Sequence, residues 1–449
     1  MNIFVLLAAA LLLILVLLRK HVQIGPAMLA GGLLIWAVES RQVGLLAQAF
    51  QEEMSLSRTY DIVLALYFVM CLEIELRQSG ALSGMVGALR HLFSSDATLV
   101  PAGGDARREA SPRRGRREAS PLGKLVPEGG DATLVPAGGT KLLLALMPAF
   151  LGLLPSLGGA RFSAPIVEEL GKGIDLSADR KSAINFWFRH LFEFSSPIIP
   201  GMIMACSIAG VPFSAFLRHL SWLTVLAFAL GWLVLIHPIK TSAMREETEA
   251  GERHDRMDLA LSILPVLATF LLVVLLDFNA SMGLGVVSAI LFFVLRGLGR
   301  PVPLKEIVLG AFDRNMLLNV LGILYFIQLL AVTDVLTEIV AAFQNSALPV
   351  PVIIACVSFI IGILTGMSQG HVAIVMPIVA AMGTGNLDLA GIAMAFGVAG
   401  QMLTPTHLCL VVTIDYFKSD LFGTLKPVLL CEILLLSIFS LYTYATWQG

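Results

Sequence analysis

Four ionisable side chains interrupt stretches that are otherwise apolar: Arg161, Glu193, His371 and His407. Each has small or hydroxylated neighbours. Arg161 lies between Pro155-Ser156-Leu157-Gly158-Gly159 and Ser163. Glu193 precedes Ser195-Ser196-Pro197. His371 follows Thr365-Gly366-Met367-Ser368-Gln369-Gly370, and His407 closes Thr404-Pro405-Thr406. A charge inside a bilayer costs about 2.5–3.5 kcal/mol on insertion scales, and residues that bear this cost usually mark a pathway. A guanidinium among hydroxyls and glycines suits an anion, because glycine lets the backbone N–H groups approach it closely. The expected substrate-binding set is therefore Ser156, Gly158, Gly159, Arg161, Ser163, Thr365, Ser368, Gln369, Thr404 and Thr406. A carboxylate beside hydroxyls and imidazoles suits a proton or a cation. The expected ion-coupling set is Glu193, Ser195, Ser196, His371 and His407. Asn185, Glu73 and Glu75 are secondary candidates, placed nearer the interface.

Each of these residues has a plainer reading. Serine, threonine and glycine also mediate packing between membrane helices. Glu193 could instead form a structural bridge to Arg189 or Arg161. Either histidine could hydrogen-bond backbone freed by a neighbouring break. For a single residue the plainer reading is preferred; for a set clustered at four matched places, the site is preferred.

The elements that must carry these residues follow from composition. Of 449 residues, 57% are hydrophobic and 14% charged, against roughly 45–50% and about 25% for a soluble domain. Mean hydropathy is +0.84. This excludes a soluble globular, disordered or disulfide-stapled chain and predicts a multi-pass protein of the cytoplasmic (inner) membrane, with the lipid bilayer as its constant partner. The net charge of −2 gives no reason to expect nucleic acid. Cys71, Cys206, Cys356, Cys409 and Cys431 lie in apolar segments without paired spacing. They read as small core residues rather than disulfides or metal ligands. The run 3–18 has no preceding basic residue and is followed by Arg19-Lys20-His21, so it reads as an uncleaved first span with the N-terminus outside. No P-loop, GxSxG or HExxH occurs, so no catalytic residue is expected.

Apolar segments recur along the chain. Two adjacent pairs are too short to cross, 141–154 with 161–172 and 348–365 with 371–382, and read as re-entrant hairpins. Two long segments, 182–210 and 387–414, are interrupted at Pro197 and Pro405. Proline frees backbone carbonyls that lipid cannot satisfy, so such breaks belong against protein or a watery cavity. Residues 94–139 differ. Asp96–Gly104 recurs at 131–139 and Arg-Glu-Ala-Ser-Pro occurs twice, which predicts a disordered cytoplasmic insertion.

The chain also looks doubled. Leu66-Tyr67-Phe68 recurs at 324–326, Pro165-Ile166-Val167 at 377–379, and Ser196-Pro197 is answered by Thr404-Pro405. The offsets agree once the insertion is removed. The expected fold is all-α and polytopic: two repeats of five transmembrane helices plus one re-entrant hairpin each, with broken helices at the midplane. Five is odd, so the repeats must be inverted. Basic residues in loops 19–23, 77–140, 240–257 and 296–314 place these loops in the cytoplasm and both termini outside. The expected divisions are 1–93, 94–139, 140–239, a cytoplasmic linker at 240–257, and 258–449 with hairpin 348–382 and broken helix 387–414.

Two stretches carry a resemblance: Leu153-Leu154-Pro155-Ser156-Leu157-Gly158-Gly159-Ala160-Arg161-Phe162-Ser163-Ala164-Pro165 and Gly400-Gln401-Met402-Leu403-Thr404-Pro405-Thr406-His407. They resemble the domain-of-unknown-function 401 family of integral membrane proteins. That family is similar to the ion-transporter superfamily of sodium-coupled dicarboxylate, citrate, gluconate and arsenite carriers. The resemblance implies a scaffold and a moving transport domain, a homodimer and an elevator motion. Those dicarboxylate carriers bear Ser-Asn-Thr at both hairpin tips. This chain does not, so only the positions carry over. The expected function is ion-coupled transport of a small anionic, carboxylate-like solute, with Na⁺ or H⁺ as the coupling ion and no other cofactor or metal. A cation/proton antiporter on the same scaffold is the alternative, followed by a membrane-embedded enzyme or assembly subunit.

Overall fold

The computed structural model describes residues 3–20, 22–81, 84, 132–135, 137–153, 160–172, 174–240, 244–247 and 254–447. Within these the chain is overwhelmingly helical. The first half holds α1 (Ile3–Arg19), α2 (Ile24–Glu39), α3 (Val43–Ser55), α4 (Ser57–Gln78), α5 (Ala137–Gly152), α6 (Ala160–Leu170), α7 (Ala178–Arg189), a 3-10 turn (Leu191–Phe194), α8 (Pro200–Ala209) and α9 (Phe213–Gly231), which runs on as a π turn to Ile236. The second half holds α10 (His254–Leu275), α11 (Ala280–Gly297), α12 (Leu304–Gly310), α13 (Arg314–Val332), α14 (Val335–Gln344), α15 (Val350–Thr365), α16 (Ser368–Met382), α17 (Leu387–Met402), α18 (Leu408–Phe417) and α19 (Leu421–Thr446).

Among the described residues, five stretches are long and apolar enough to cross a bilayer: Phe213–Ile236, Met257–Leu275, Ala280–Gly297, Leu304–Val332 and Leu421–Thr446. That is fewer than the ten full spans expected. Helices α1 and α2 have 17 and 16 residues, about 24–26 Å at 1.5 Å per residue, short of a hydrocarbon core of about 30 Å. Helix α4 is long enough, but Arg58, Asp61, Glu73, Glu75 and Arg77 lower its hydropathy. Helices α3, α12 and α14 were not expected. They have 13, 7 and 10 residues, too few to cross alone, and few of these are buried, such as Ala49, Ile307 and Ile339.

Packing sorts the helices into two sets. In one, α2 lies on α1 and α13, α4 on α11 and α12, α13 on α3, and α11 on α10. In the other, α15 pairs with α16 and α17, α5 with α6 and α7, α16 with α8, and α18 with α6 and α7, with α9 and α19 alongside. The sets meet where α9 lies on α10, α4 on α8, and α13 and α14 on α16. Phe186, Phe188, Phe216 and Phe439 fill the interior of the second set. Val225, Leu233, Leu275, Phe293 and Leu441 stand exposed on long helices. So large an uncovered apolar surface suits lipid rather than water.

Of the stretch 94–139, only residues 132–135 and 137–139 are described. Ala132–Val135 (β1) pairs antiparallel with Met244–Glu247 (β2), and α5 begins at Ala137. The rest of that stretch lies outside the described residues, as do Ser156, Gly158 and Gly159.

Candidate functional site

Both interrupted segments break at their prolines. After α7 the chain passes through the 3-10 turn and runs irregularly from Ser195 to Ile199, and Pro200 opens α8. After α17 it runs irregularly from Leu403 to His407 before α18. The two breaks are built alike. The hydroxyl of Ser196 accepts from the Ile198 N–H at 3.3 Å, and that of Thr404 accepts from the Thr406 N–H at 3.3 Å. These are side-chain turns that satisfy backbone the missing helix leaves bare. Thr404 and Thr406 also bond each other at 2.9 Å. Ser195 bonds Thr224 of α9 at 2.7 Å. Four of the expected ligands thus already have protein partners.

The tip of the α15–α16 hairpin sits between the breaks. Gly366 ends α15 in the left-handed region, φ +66. A Cβ there would come within 2.6 Å of the Thr406 hydroxyl, and one at Gly201 in α8 within 2.6 Å of the Ser368 Cβ. Only glycine admits such approaches. Thr365 donates to the Ile361 carbonyl at 2.8 Å. Ser368, first residue of α16, is buried, whereas Gln369 beside it is half-exposed.

Around this tip lie buried polar atoms with no partner. The Glu193 carboxyl faces Ser368 and Gln401. Its Oε2, the Oε1 of Gln401 and both ring nitrogens of His371 are buried without a hydrogen bond among the described residues. The His371 ring rests on α17, where a Cβ at Gly397 would lie 2.1 Å from Nδ1. Each such group costs about 1–3 kcal/mol if left unsatisfied.

One turn before Glu193, Arg189 is buried at the end of α7. Its Nη1 donates to Ser163 of α6 at 3.4 Å, and its Nε has no partner. No carboxylate of a described residue lies within 4.0 Å of it, so the alternative reading of a Glu193–Arg189 bridge finds no pair among the described residues. The guanidinium lies beside Cys409. His190 and His407 are adjacent, with ring centroids 4.7 Å apart. His407 Nδ1 donates to the Gln401 carbonyl at 2.9 Å, which is the backbone role its plainer reading gave it. Asn185 donates to Thr413 of α18 at 3.0 Å. Arg161 lies in the first turn of α6, and its side chain is outside the described residues. Glu73 and Glu75 stand apart in α4; Glu75 is buried and accepts from Ser288 of α11 at 2.9 Å.

Sequence reading missed Gln401, His190 and Cys409, and named Arg189 only as a bridge partner. One signal was present. Gln401 follows Glu193 by 208 residues, the same interval that separates Thr404 from Ser196. Likewise Ser368 and Gly370 follow Ser156 and Gly158 by the 212 residues that separate Pro377 from Pro165.

Where the two helical sets meet, a cleft of about 670 Å³ opens among Asp61 of α4, residues 206–207 of α8, residues 210–215 and 218 at the start of α9, Val273 of α10, and residues 277–280 leading into α11. A family model described as a protein of unknown function (DUF401) matches residues 139–445. No curated protein matches the chain.

Proposed function

The chain belongs to the DUF401 family of proteins of unknown function, and on that premise we propose that it is an ion-coupled secondary transporter of the inner membrane for a small anionic, carboxylate-like solute. The observation that carries this reading is the group of buried polar atoms without partners between two broken helices and a hairpin tip: Glu193 Oε2, Gln401 Oε1 and His371. A soluble core would exclude them, and a membrane core excludes them more strongly. Their cost is offset when a ligand completes the site. The neighbouring Arg189, buried without a carboxylate, supplies the positive charge for an anion. Glu193 beside Ser368 supplies oxygen ligands for the coupling H⁺ or Na⁺.

We further propose two inverted repeats. Exchanging the halves maps packing onto packing: α2 on α13 becomes α11 on α4, α3 on α13 becomes α12 on α4, α5 with α7 becomes α15 with α17, and α8 on α16 becomes α18 on α6. Matched breaks in opposed repeats are the usual construction of a midplane site. The set holding α5–α9 and α15–α19 would then move against the set holding α1–α4 and α10–α14. The cleft at their seam supports that division, and a homodimer formed through the latter set accompanies it.

The test is a thermal-shift screen of purified protein with carboxylates and other small anions, varying Na⁺, K⁺ and pH, followed by flux in proteoliposomes. A solute that binds the folded state must raise its apparent stability, and the same solute must be taken up under an ion gradient. Absence of stabilisation and of flux for every anion overturns the proposal. Cation-driven proton release without an organic solute would favour the antiporter instead.

A further inference from the structure

One cluster beside this site has no role in the transport reading. One ring nitrogen each of His190 and His407 and the Cys409 sulfur lie within 4.8 Å of one another. The three come from the two breaks: His190 caps the end of α7, His407 caps the start of α18, and Cys409 stands in the first turn of α18. Both imidazoles are held in one tautomer by the backbone. His190 Nδ1 bonds the Phe186 carbonyl at 2.7 Å, and His407 Nδ1 bonds the Gln401 carbonyl at 2.9 Å. A carbonyl can only accept, so each Nδ1 carries the proton and each Nε2 keeps its lone pair. That is the form in which histidine ligates metals, with the second nitrogen anchored to a carbonyl. Cys409 stands in the first turn of α18, beside the Arg189 guanidinium.

We propose that His190, His407 and Cys409 form a binding site for a borderline-soft divalent transition metal of the Zn²⁺ type. Two imidazoles and a thiolate suit zinc rather than Na⁺, Mg²⁺ or Ca²⁺, which take oxygen ligands. Zn–N and Zn–S bonds of about 2.0–2.3 Å set donors about 3.3–3.8 Å apart in a tetrahedron, so closure from 4.8 Å is a matter of side-chain rotation. Binding displaces the thiol proton to solvent and leaves a fourth position open. The nearby Glu193 carboxylate offsets the added charge beside Arg189. A bound ion ties the end of α7 to the start of α18 and so fixes the two breaks relative to each other. Sequence alone reads Cys409 as a core residue; His407 stands two residues before it, whereas His190 reaches it only through the packing of α7 against α18.

The site does not depend on transport, and its test needs no solute. Full-length protein in detergent, stripped with a chelator, is titrated with Co²⁺ and with Zn²⁺. The expected result is one equivalent of Co²⁺ giving thiolate-to-cobalt charge-transfer absorption and tetrahedral visible bands, displaced by Zn²⁺. A raised melting temperature and release of a proton per ion should accompany it. Cys409→Ser, which keeps the shape of the side chain, must remove the charge-transfer band, and His407→Gln must weaken binding at least tenfold. If either variant misfolds, alkylation of Cys409 in wild-type protein, protected by Zn²⁺, serves instead. Absence of the band in folded wild-type protein, or its persistence in Cys409→Ser, overturns the proposal.

Discussion

At the scale of single residues, the decisive contrast is between polar groups that have partners and those that lack them. Ser195, Ser196, Thr404 and Thr406 are hydrogen-bonded to protein, so they hold the breaks in shape. Glu193, Gln401 and His371 keep buried atoms without partners, so they await something. Glu193→Gln therefore leaves expression and melting temperature near wild type and reduces ion-coupled uptake in proteoliposomes to that of empty vesicles. Normal coupled uptake in that variant removes Glu193 from the mechanism. Arg189 gives an opposite signature. A buried charge without a carboxylate carries a desolvation penalty of several kcal/mol. Arg189→Met should raise the melting temperature of solute-free protein while abolishing stabilisation by anions. A lower melting temperature with anion stabilisation intact would show that Arg189 serves folding only.

At the scale of elements, backbone contact holds the hairpin against its broken helix. A Cβ at Gly362 of α15 would lie 2.2 Å from the Gly397 carbonyl of α17, and one at Gly400 would lie 2.1 Å from the Phe359 carbonyl of α15. In the other half, a Cβ at Gly152 of α5 would lie 2.0 Å from the Arg189 carbonyl of α7. Backbone cannot rotate away as a side chain can, so the helices must part to admit a methyl group. Gly362→Ala and Gly400→Ala should each cost about 1–3 kcal/mol, the usual range for overpacking, read as a fall in thermal midpoint. Gly297→Ala, in open space at the end of α11, should be neutral. Equal effects at the three positions would mean that close packing of α15 on α17 is not what the glycines provide.

At the scale of the whole molecule, the pairing of β1 with β2 ties the stretch before α5 to the stretch before α10. The pairing requires both loops to lie on one face, and the basic residues of those loops predict that this face is the cytoplasmic one. A cysteine introduced at Arg245 on a cysteine-free background should react with a membrane-impermeant maleimide in inside-out vesicles and not in intact spheroplasts. Tags on either terminus should show the reverse. Labelling of both faces alike would contradict the orientation and, with it, the inverted relation of the halves.

Hydropathy and proline placement determined much of this protein without any structure. An apolar run with no water to bond must be helical, and a proline inside it tends to break it, so the adjacent helix pair within 348–382 and the interruptions near Pro197 and Pro405 were legible in outline, though not to the residue. Helices α3, α12 and α14 were not, because they are too short to announce themselves as apolar runs. Nor was the partnership of the ionisable groups. Whether Glu193 meets Arg189 or Ser368, whether His407 serves the backbone, and whether Cys409 lies among aliphatic neighbours or beside His190 and Arg189 depends on how α7, α16, α17 and α18 pack. Residues about two hundred positions apart meet there, and the distance at which one buried polar atom finds another is set by packing in three dimensions, which no local pattern encodes.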